Sequence, residues 1–411
     1  MNTARNTSAD ENSGRVSAHL KRRIRVALLL VMGGFSVMGG GLVAPALPAL
    51  QNTFDVSEGS LGLVLSVYTL AAALTLPFTG LLVDVLGRKR VGTACLIIDG
   101  SCGVLCIFAP DFGVLLILRF IQGIGLAGLV PVVMTIVSDW YAGENRLRIM
   151  GFLSSTIAMA AVVIPLAGGV LAQIDWRLSF GMYVFPLILA PFFVMLIPES
   201  APSQNDIAEK VTVSDYLLQL RRALHLSSVR GVFIHSFGTF FQLYAFVTFV
   251  PLLITSHFDG GTALAGAAIA IHGGVAAIGA GYAVAINRRA GRSSALLVGY
   301  ALLAGSLFLL PLWSNVWWSA LSFVAFGAGM GILQPLIFNW VTTTAPPEMR
   351  GSIVALFNTC KYAGMTAAPL VLQLFYTLGG IPFVFSAAAA AALLWAAHGW
   401  WCTKEQKTAD L

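Results

Sequence analysis

Charge is what this chain of 411 residues has least of: 10% of it is Asp, Glu, Lys or Arg, against 57% hydrophobic residues. A soluble globular chain carries roughly 25% charged residues. This sequence could not wet a surface of its own, so lipid has to cover much of the molecule. Acids inside apolar stretches are scarcer still, Asp99 being the only carboxylate well within one. The five cysteines, Cys95, Cys102, Cys106, Cys360 and Cys402, form no C-x-x-C pair. All fall in expected helices, where a small apolar filler is their ordinary role. No zinc-ligand spacing, phosphate-cradling glycine loop or nucleophile–base pattern is present. An enzyme, a resident cofactor and a metal site are therefore not expected, and nothing points to an ATPase subunit. Ten-residue polar/apolar alternation is missing too, which excludes a membrane β-barrel.

What is present in quantity is apolar run. Segments near 24–44, 60–82, 92–108, 113–134, 149–171, 178–197, 229–254, 262–286, 294–312, 316–340, 351–376 and 382–402 are each about long enough to span a bilayer as a helix. The expected fold is an all-α membrane protein of twelve transmembrane helices. Residues 1–23 read as a polar cytoplasmic tail rather than a cleaved signal, because the apolar stretch after them is long enough to span. With the N-terminus inside, 21 of the 24 Lys and Arg fall on the cytoplasmic side, as the positive-inside rule requires. The basic residues are dispersed topology signals, which excludes nucleic acid as their reason. The longest internal polar stretch, 198–228, ends in an amphipathic piece around Tyr216 to Leu226, expected to lie on the cytoplasmic surface. It divides the chain into a six-helix bundle at 24–197 and another at 229–402, with a cytoplasmic tail at 403–411.

The two halves repeat each other at an offset of 204 residues. Gly87-Arg88 matches Gly291-Arg292; Gly123, Gly125 and Pro131 match Gly327, Gly329 and Pro335; Glu144 and Arg146 match Glu348 and Arg350; Pro165 matches Pro369. An even number of spans per half makes the repeat parallel. Two pseudo-symmetric bundles would then face each other across a shared site that rocking exposes to each side in turn.

Predicted helix 2 leads into Gly80-Leu-Leu-Val-Asp84-Val-Leu-Gly87-Arg88-Lys89-Arg90. The segment resembles the signature G-x-L-x-D-x-x-G-R-[KR]-[KR] of the major facilitator superfamily. The resemblance implies a conformational latch. Gly80 would let helix 2 approach helix 11, Asp84 would face the N-terminus of that helix, and Arg88 would pair with an acid ending helix 4, for which Asp139 fits, with Arg146 nearby. The second copy has Arg288 and Thr343 in place of Asp84 and Asp139, so the latch is expected to be strong on one side only. Arg119-x-x-Gln122-Gly123 in helix 4 resembles the family's second motif and implies a proton-relay or gating arginine. Arg119 would lie about 10 Å deep, where an arginine normally faces a cavity or a partner, and a structural hydrogen-bonding hub is the other reading. Helix 5 carries Gly151, Ala160, Ile164, Pro165, Gly168 and Gly169 at the spacing of the drug/proton antiporter motif, with two glycines replaced. Gly364-x3-Ala368-Pro369 in helix 11 and Pro45-Ala46-Leu47-Pro48 after helix 1 are similar to the twelve-helix antiporter branch. In helix 8, Gly266, Ala270 and Gly274, and Gly273, Ala277 and Gly281, make small-residue stripes for close packing, with helix 5 the partner that the resemblance implies.

Polar residues inside helices that the repeat does not copy are the functional candidates. Asp99 matches Leu303, Arg119 matches Phe323, and Lys361 matches Ile157. Apolar surroundings disfavour a carboxylate's charge, and a carboxyl that exchanges its proton near neutral pH can carry one. Asp99 is thus the first candidate for proton coupling, with Arg119 and Gln122; a structural acid paired to another polar group is the alternative. Lys361, about 16 Å along helix 11, with Asn358 on its face, either lines the cavity and meets an anionic or zwitterionic substrate, or pairs with a carboxylate. Gln334, His272, Tyr244 and Gln242, with Phe240, Phe241 and His235, are further cavity candidates whose bland reading is core packing. The expected protein is a monomeric, proton-coupled exporter of drugs or small amphipathic metabolites in a bacterial inner membrane. Proton-coupled import of a small organic anion is the alternative.

Overall fold

The computed structural model describes residues 20–199, 218, 221–224, 226–344, 346 and 349–409. Residues 1–19, most of the central 198–228 stretch with its expected surface helix, and Glu348 lie outside these. Helices, joined by short turns, make up nearly all of the described residues, with no strand among them. Ten helices are long and apolar enough to cross a membrane, and a bent pair at the start brings the number to eleven.

In chain order these are α1 (Leu20–Phe35 with Met38–Phe54, bent by 45°), α2 (Glu58–Leu86), α3 (Arg88–Phe108), α4 (Phe112–Trp140), α5 (Gly143–Ile174) and α6 (Trp176–Leu196). The second half supplies α7 (Val229–His257), α8 (262–290) and α9 (292–312), which meet at the non-helical Gly291, and α10 (Val316–Thr344). The last helical stretch, Ser352–Trp401, is broken at Gly380, whose φ of +68° only glycine adopts without strain. Dividing it there gives α11 (352–378) and α12 (381–401), twelve spans in all.

Local chemistry sets the boundaries. Asp111 caps α4 by accepting from the Val114 N–H at 2.9 Å, and Asp175 caps α6 through the Arg177 N–H at 2.9 Å. Between α2 and α3 the chain turns at Gly87 (φ 89°, ψ 150°), and 204 residues on Gly291 adopts nearly the same conformation (φ 78°, ψ 164°).

The internal repeat extends to helix packing. A Cβ on Gly125 would meet the Asp99 N–H and the Cys95 carbonyl; one on Gly329 would meet the Gly299 carbonyl and Leu303, the same two positions one repeat later. Gly123 abuts Tyr68 and Ala71, while Gly327 abuts their counterparts His272 and Val275. Each of these four glycines meets a backbone atom of a neighbouring helix, so in both halves the fourth helix packs on the second and third with no room for a side chain.

The hydrophobic core is shared between the halves at one end only. Toward the end that carries the Gly80–Arg90 loop, residues of α1 to α6, among them Leu29, Val83, Val132, Leu153 and Phe193, form a core of their own. Toward the opposite end Leu42, Leu47, Leu65, Trp176 and Phe180 join one continuous core with α7 to α12.

Candidate transport pathway and coupling site

The closed end is stitched by two helix pairs. Between α2 and α11, Ser66 Oγ donates to the Thr366 carbonyl (3.1 Å), the Thr69 and Thr366 hydroxyls share a hydrogen bond (2.9 Å), and Tyr376 donates to Glu58. Gly62 lies so close to Pro369 that a Cβ there would be 2.7 Å from it. Between α5 and α8, Thr262 Oγ1 donates to the Gly169 carbonyl (2.9 Å), and a Cβ on Gly169 would sit 2.5 Å from the Thr262 oxygen and 3.0 Å from Gly266 Cα. Pro165 packs its carbonyl against Gly266, and Gly168 turns instead to Leu42 of α1. Gly364 packs within the second half, on the Phe237 backbone of α7.

The same helices part toward the other end. A Cβ on Gly80 of α2, Gly151 of α5 or Gly281 of α8 would meet nothing within 4 Å. The Asp84 side chain is 68% exposed. Of the latch, only the part inside the first half is assembled: Arg88 Nε donates to Asp139 (3.0 Å) and its Nη2 lies 3.5 Å from Asp84. Lys89 is half-buried and Arg146 exposed, and neither has an ion pair among the described residues. Gly80 meets no helix here, and the ion pair of Asp84 among the described residues is to Arg88 of its own half. In the second copy Arg292 takes the place of Arg88 and lies over the Trp340 ring at 4.5 Å. An aromatic face thus stands where the first half has an acid.

Deep in the first half, Arg119 is fully buried and reaches four helices. Its Nε donates to the Val64 carbonyl of α2 (3.1 Å), Nη2 to the Gly39 carbonyl of α1 (2.9 Å), and Nη1 to Gln122 Oε1 (2.8 Å) and the Tyr183 hydroxyl of α6 (3.4 Å). Its Cζ sits 4.0 Å over the Tyr68 ring. Gln122 completes the chain by donating to the backbone carbonyl of Asp99 at 3.1 Å. The Asp99 side chain is fully buried with Arg119 and Gln122 as its polar neighbours, yet both carboxyl oxygens lack a hydrogen-bond partner among the described residues.

One repeat later this unit is apolar. Phe323, Phe326 and Leu303 replace Arg119, Gln122 and Asp99, and His272 replaces Tyr68. Phe246 stacks on Phe326 (4.2 Å) and lies 5.0 Å from His272. His272 is thereby held inside the second half, 7% exposed, and does not line the space between the halves in this state. Gln242 is likewise fully buried, donating to the Ala388 carbonyl of α12 at 2.9 Å. Both side chains were expected at the cavity; helix-to-helix packing within one bundle holds them elsewhere.

Lys361, Asn358 and Gln334 are half-buried, and Tyr244 reaches across to Gly40 of α1. The Lys361 ammonium stands 4.8 Å over the Phe240 ring and 5.3 Å over that of Tyr362. Asn358 donates to the Val354 carbonyl of its own helix (3.0 Å). Sequence reasoning missed Tyr68, Tyr183 and the Ser66/Thr69/Thr366 cluster. The repeat offers a signal for Tyr68 alone, through its match to His272.

Residues 29–369 match the sequence profile of the Major Facilitator Superfamily. The chain belongs to that superfamily. Among its relatives, the "Bacillibactin exporter" of Bacillus subtilis (strain 168) is 24% identical over 364 residues, 85% of this chain and 89% of that protein. The "Tetracycline resistance protein, class G" of Vibrio anguillarum is 28% identical over 361 residues, 82% and 87% of the two chains. In three dimensions the chain superposes on a bacterial homolog of the human lysosomal transporter Spinster, described as inward-facing and unoccupied, with a TM-score of 0.79 at 16% identity. That match covers 93% of this chain and 97% of the other. This major facilitator chain is a multi-pass membrane transporter, not an enzyme, and relatives named as an exporter and as a tetracycline resistance protein span most of its length.

Proposed function

We propose that the protein exports drugs or small amphipathic metabolites across a bacterial inner membrane in exchange for protons, by alternating access, with the loop end cytoplasmic. The one observation that carries this reading is the one-sided closure. The halves share a core, hydrogen bonds and glycine contacts at one end, and the glycines that would serve the same purpose at the other end face open space. In this reading the state described here is inward-facing, ready to take a substrate from the cytoplasm.

The return stroke would bring α2 against α11 and α5 against α8 at the loop end. Gly80, Gly151 and Gly281 leave room for that approach, and Asp84, exposed beside Arg88, would meet the N-terminus of α11. Asp99 would be the proton carrier. Its carboxyl is buried beside Arg119 and Gln122, and neither oxygen has a hydrogen-bond partner among the described residues. The polar unit sits in one half only, so protonation biases one bundle. Export is supported by the antiporter-like spacing in α5 and by relatives named for export. Import of an organic anion is the second reading, favoured by the cation at Lys361.

Proteoliposomes with imposed pH gradients of both signs separate the two. Export predicts substrate movement opposite to proton flow, abolished by a protonophore. Uptake running with inward proton flow would refute it. Asp99→Asn is expected to fold normally and keep exchange of substrate for substrate while losing gradient-driven accumulation. Undiminished accumulation in that variant rules out Asp99 as the carrier.

A further inference from the structure

The spans hold one charge that the transport cycle proposed above does not use. Lys361 lies on α11, half-buried, between the rings of Phe240 on α7 and Tyr362. No carboxylate lies within ion-pair distance of it among the described residues. The sequence explains why: the second half has no Asp or Glu between Asp215 and Asp259, between Asp259 and Glu348, or between Glu348 and Glu405. None of α7 to α12 carries an acid within its span.

The first half cannot supply the counter-charge in this state either. Its one acid well inside a span is Asp99, fully buried in α3, with Gly125 of α4 closed against its backbone. Of the acids near helix ends, Glu58 accepts from Tyr376 at the closed end, Asp84 and Asp139 hold Arg88 at the loop end, Asp111 and Asp175 cap helices, and none of the described acids, Glu144 included, pairs with Lys361.

A cation in a membrane-spanning segment without a partner is costly and normally faces a water-filled pathway or a ligand. An aromatic face offsets part of that cost but leaves the ammonium donors unfilled. A buried ring and a half-buried one beside a half-buried cation that has no acid within ion-pair distance suit a molecule with an anionic end and a flat apolar body. The same cation repels the lipophilic cations that a ring-lined pathway would otherwise accept.

Taking the transporter reading as its basis, we infer that the substrates are amphipathic organic anions, seated with a carboxylate on Lys361 and an apolar or aromatic body against Phe240 and Tyr362. The charge complementarity lies in the second half and the titrating acid in the first. Substrate and proton would thus act on different bundles and couple through the closure between them.

Binding to the purified full-length protein in detergent, with no gradient present, tests the inference separately from direction or coupling. The probes are 2-naphthoate and its uncharged match 2-naphthamide, followed by tryptophan fluorescence and by thermal stabilisation. Wild-type protein is expected to bind the acid about tenfold or more tightly than the amide. Lys361→Gln is expected to bind the two alike, and Lys361→Arg to restore the preference. Equal binding of acid and amide by the wild type, absence of naphthoate binding, or a preference that survives in Lys361→Gln would each overturn the inference. The comparison within the wild type stands even where a variant fails to fold. A failure of export in the vesicle experiment would leave this result unaffected.

Discussion

Replacing Arg119 by alanine is expected to reduce transport by about a hundredfold or more and to lower thermal stability. Hydrogen bonds from a charged donor contribute about 1.5–3 kcal/mol each, and this side chain makes bonds to Gly39, Val64, Gln122 and Tyr183 while lying over Tyr68. Truncation leaves two backbone carbonyls and a glutamine acceptor without donors in a site closed to water. It also removes the single cation that ties α1, α2, α4 and α6 together beside Asp99. Lysine is not a conservative replacement, because it offers a point charge where the carbonyls are met by a planar fork. Arg119→Lys is expected to recover stability in part and transport hardly at all. Uptake and efflux assays beside a thermal melt of the same samples check this. Transport within twofold of wild type in Arg119→Ala would mean that the cluster is neither a coupling element nor a structural hub.

The second large effect concerns glycines at the two ends. Leucine at Gly169 has to displace the Thr262 carbonyl, 2.5 Å from where its Cβ would stand, and the Gly266 backbone at 3.0 Å. Neither is a flexible side chain, so α5 and α8 must separate. A wedge costing roughly 3 kcal/mol moves a two-state equilibrium by more than a hundredfold, away from the state described here. Leucine at Gly80 meets nothing within 4 Å in this state and leaves it intact. It is expected to block the opposite state, in which α2 must approach α11. Both variants should lose transport with their populations trapped on opposite sides. Labelling of single cysteines placed along α5 and α11 reports which end is open in each. Normal turnover in Gly169→Leu would show that this close packing is not a gate.

Much of the fold was legible because a membrane chain has few options. Backbone polar groups in lipid must be satisfied within a helix, so apolar run length gives the spans, and lysine and arginine give the expected sidedness. The repeat was legible because glycine and proline mark backbone constraints. Gly87 and Gly291 share a turn that other residues avoid, and Gly125 and Gly329 share a contact with no room for Cβ. Small residues marked α8 as a close-packing helix, while its pairing with Pro165 and Gly169 of α5 was what the family resemblance implied. Cavity residues were harder, because an amide or imidazole in a helix looks alike whether it faces a pathway or a neighbouring helix. Gln242 and His272 were expected on the pathway and lie inside the second half. The contact of Glu58 with Tyr376, separated by 318 positions, had no local signal; it follows from helix packing rather than from pattern. Nor could the sequence specify that the loop end would be the open one, since the same residues must serve both states.

The central claim is that the two ends open in alternation, and paired spin labels measure it directly. One pair joins Leu147 of α5 to Tyr282 of α8 at the loop end, and the other joins Ile174 of α5 to Leu378 of α11 at the opposite end; all four side chains are well exposed. Across conditions that shift the population, such as pH or a bound substrate, the first distance is expected to shorten as the second lengthens. Two distances that stay fixed, or that grow and shrink together, would contradict the account.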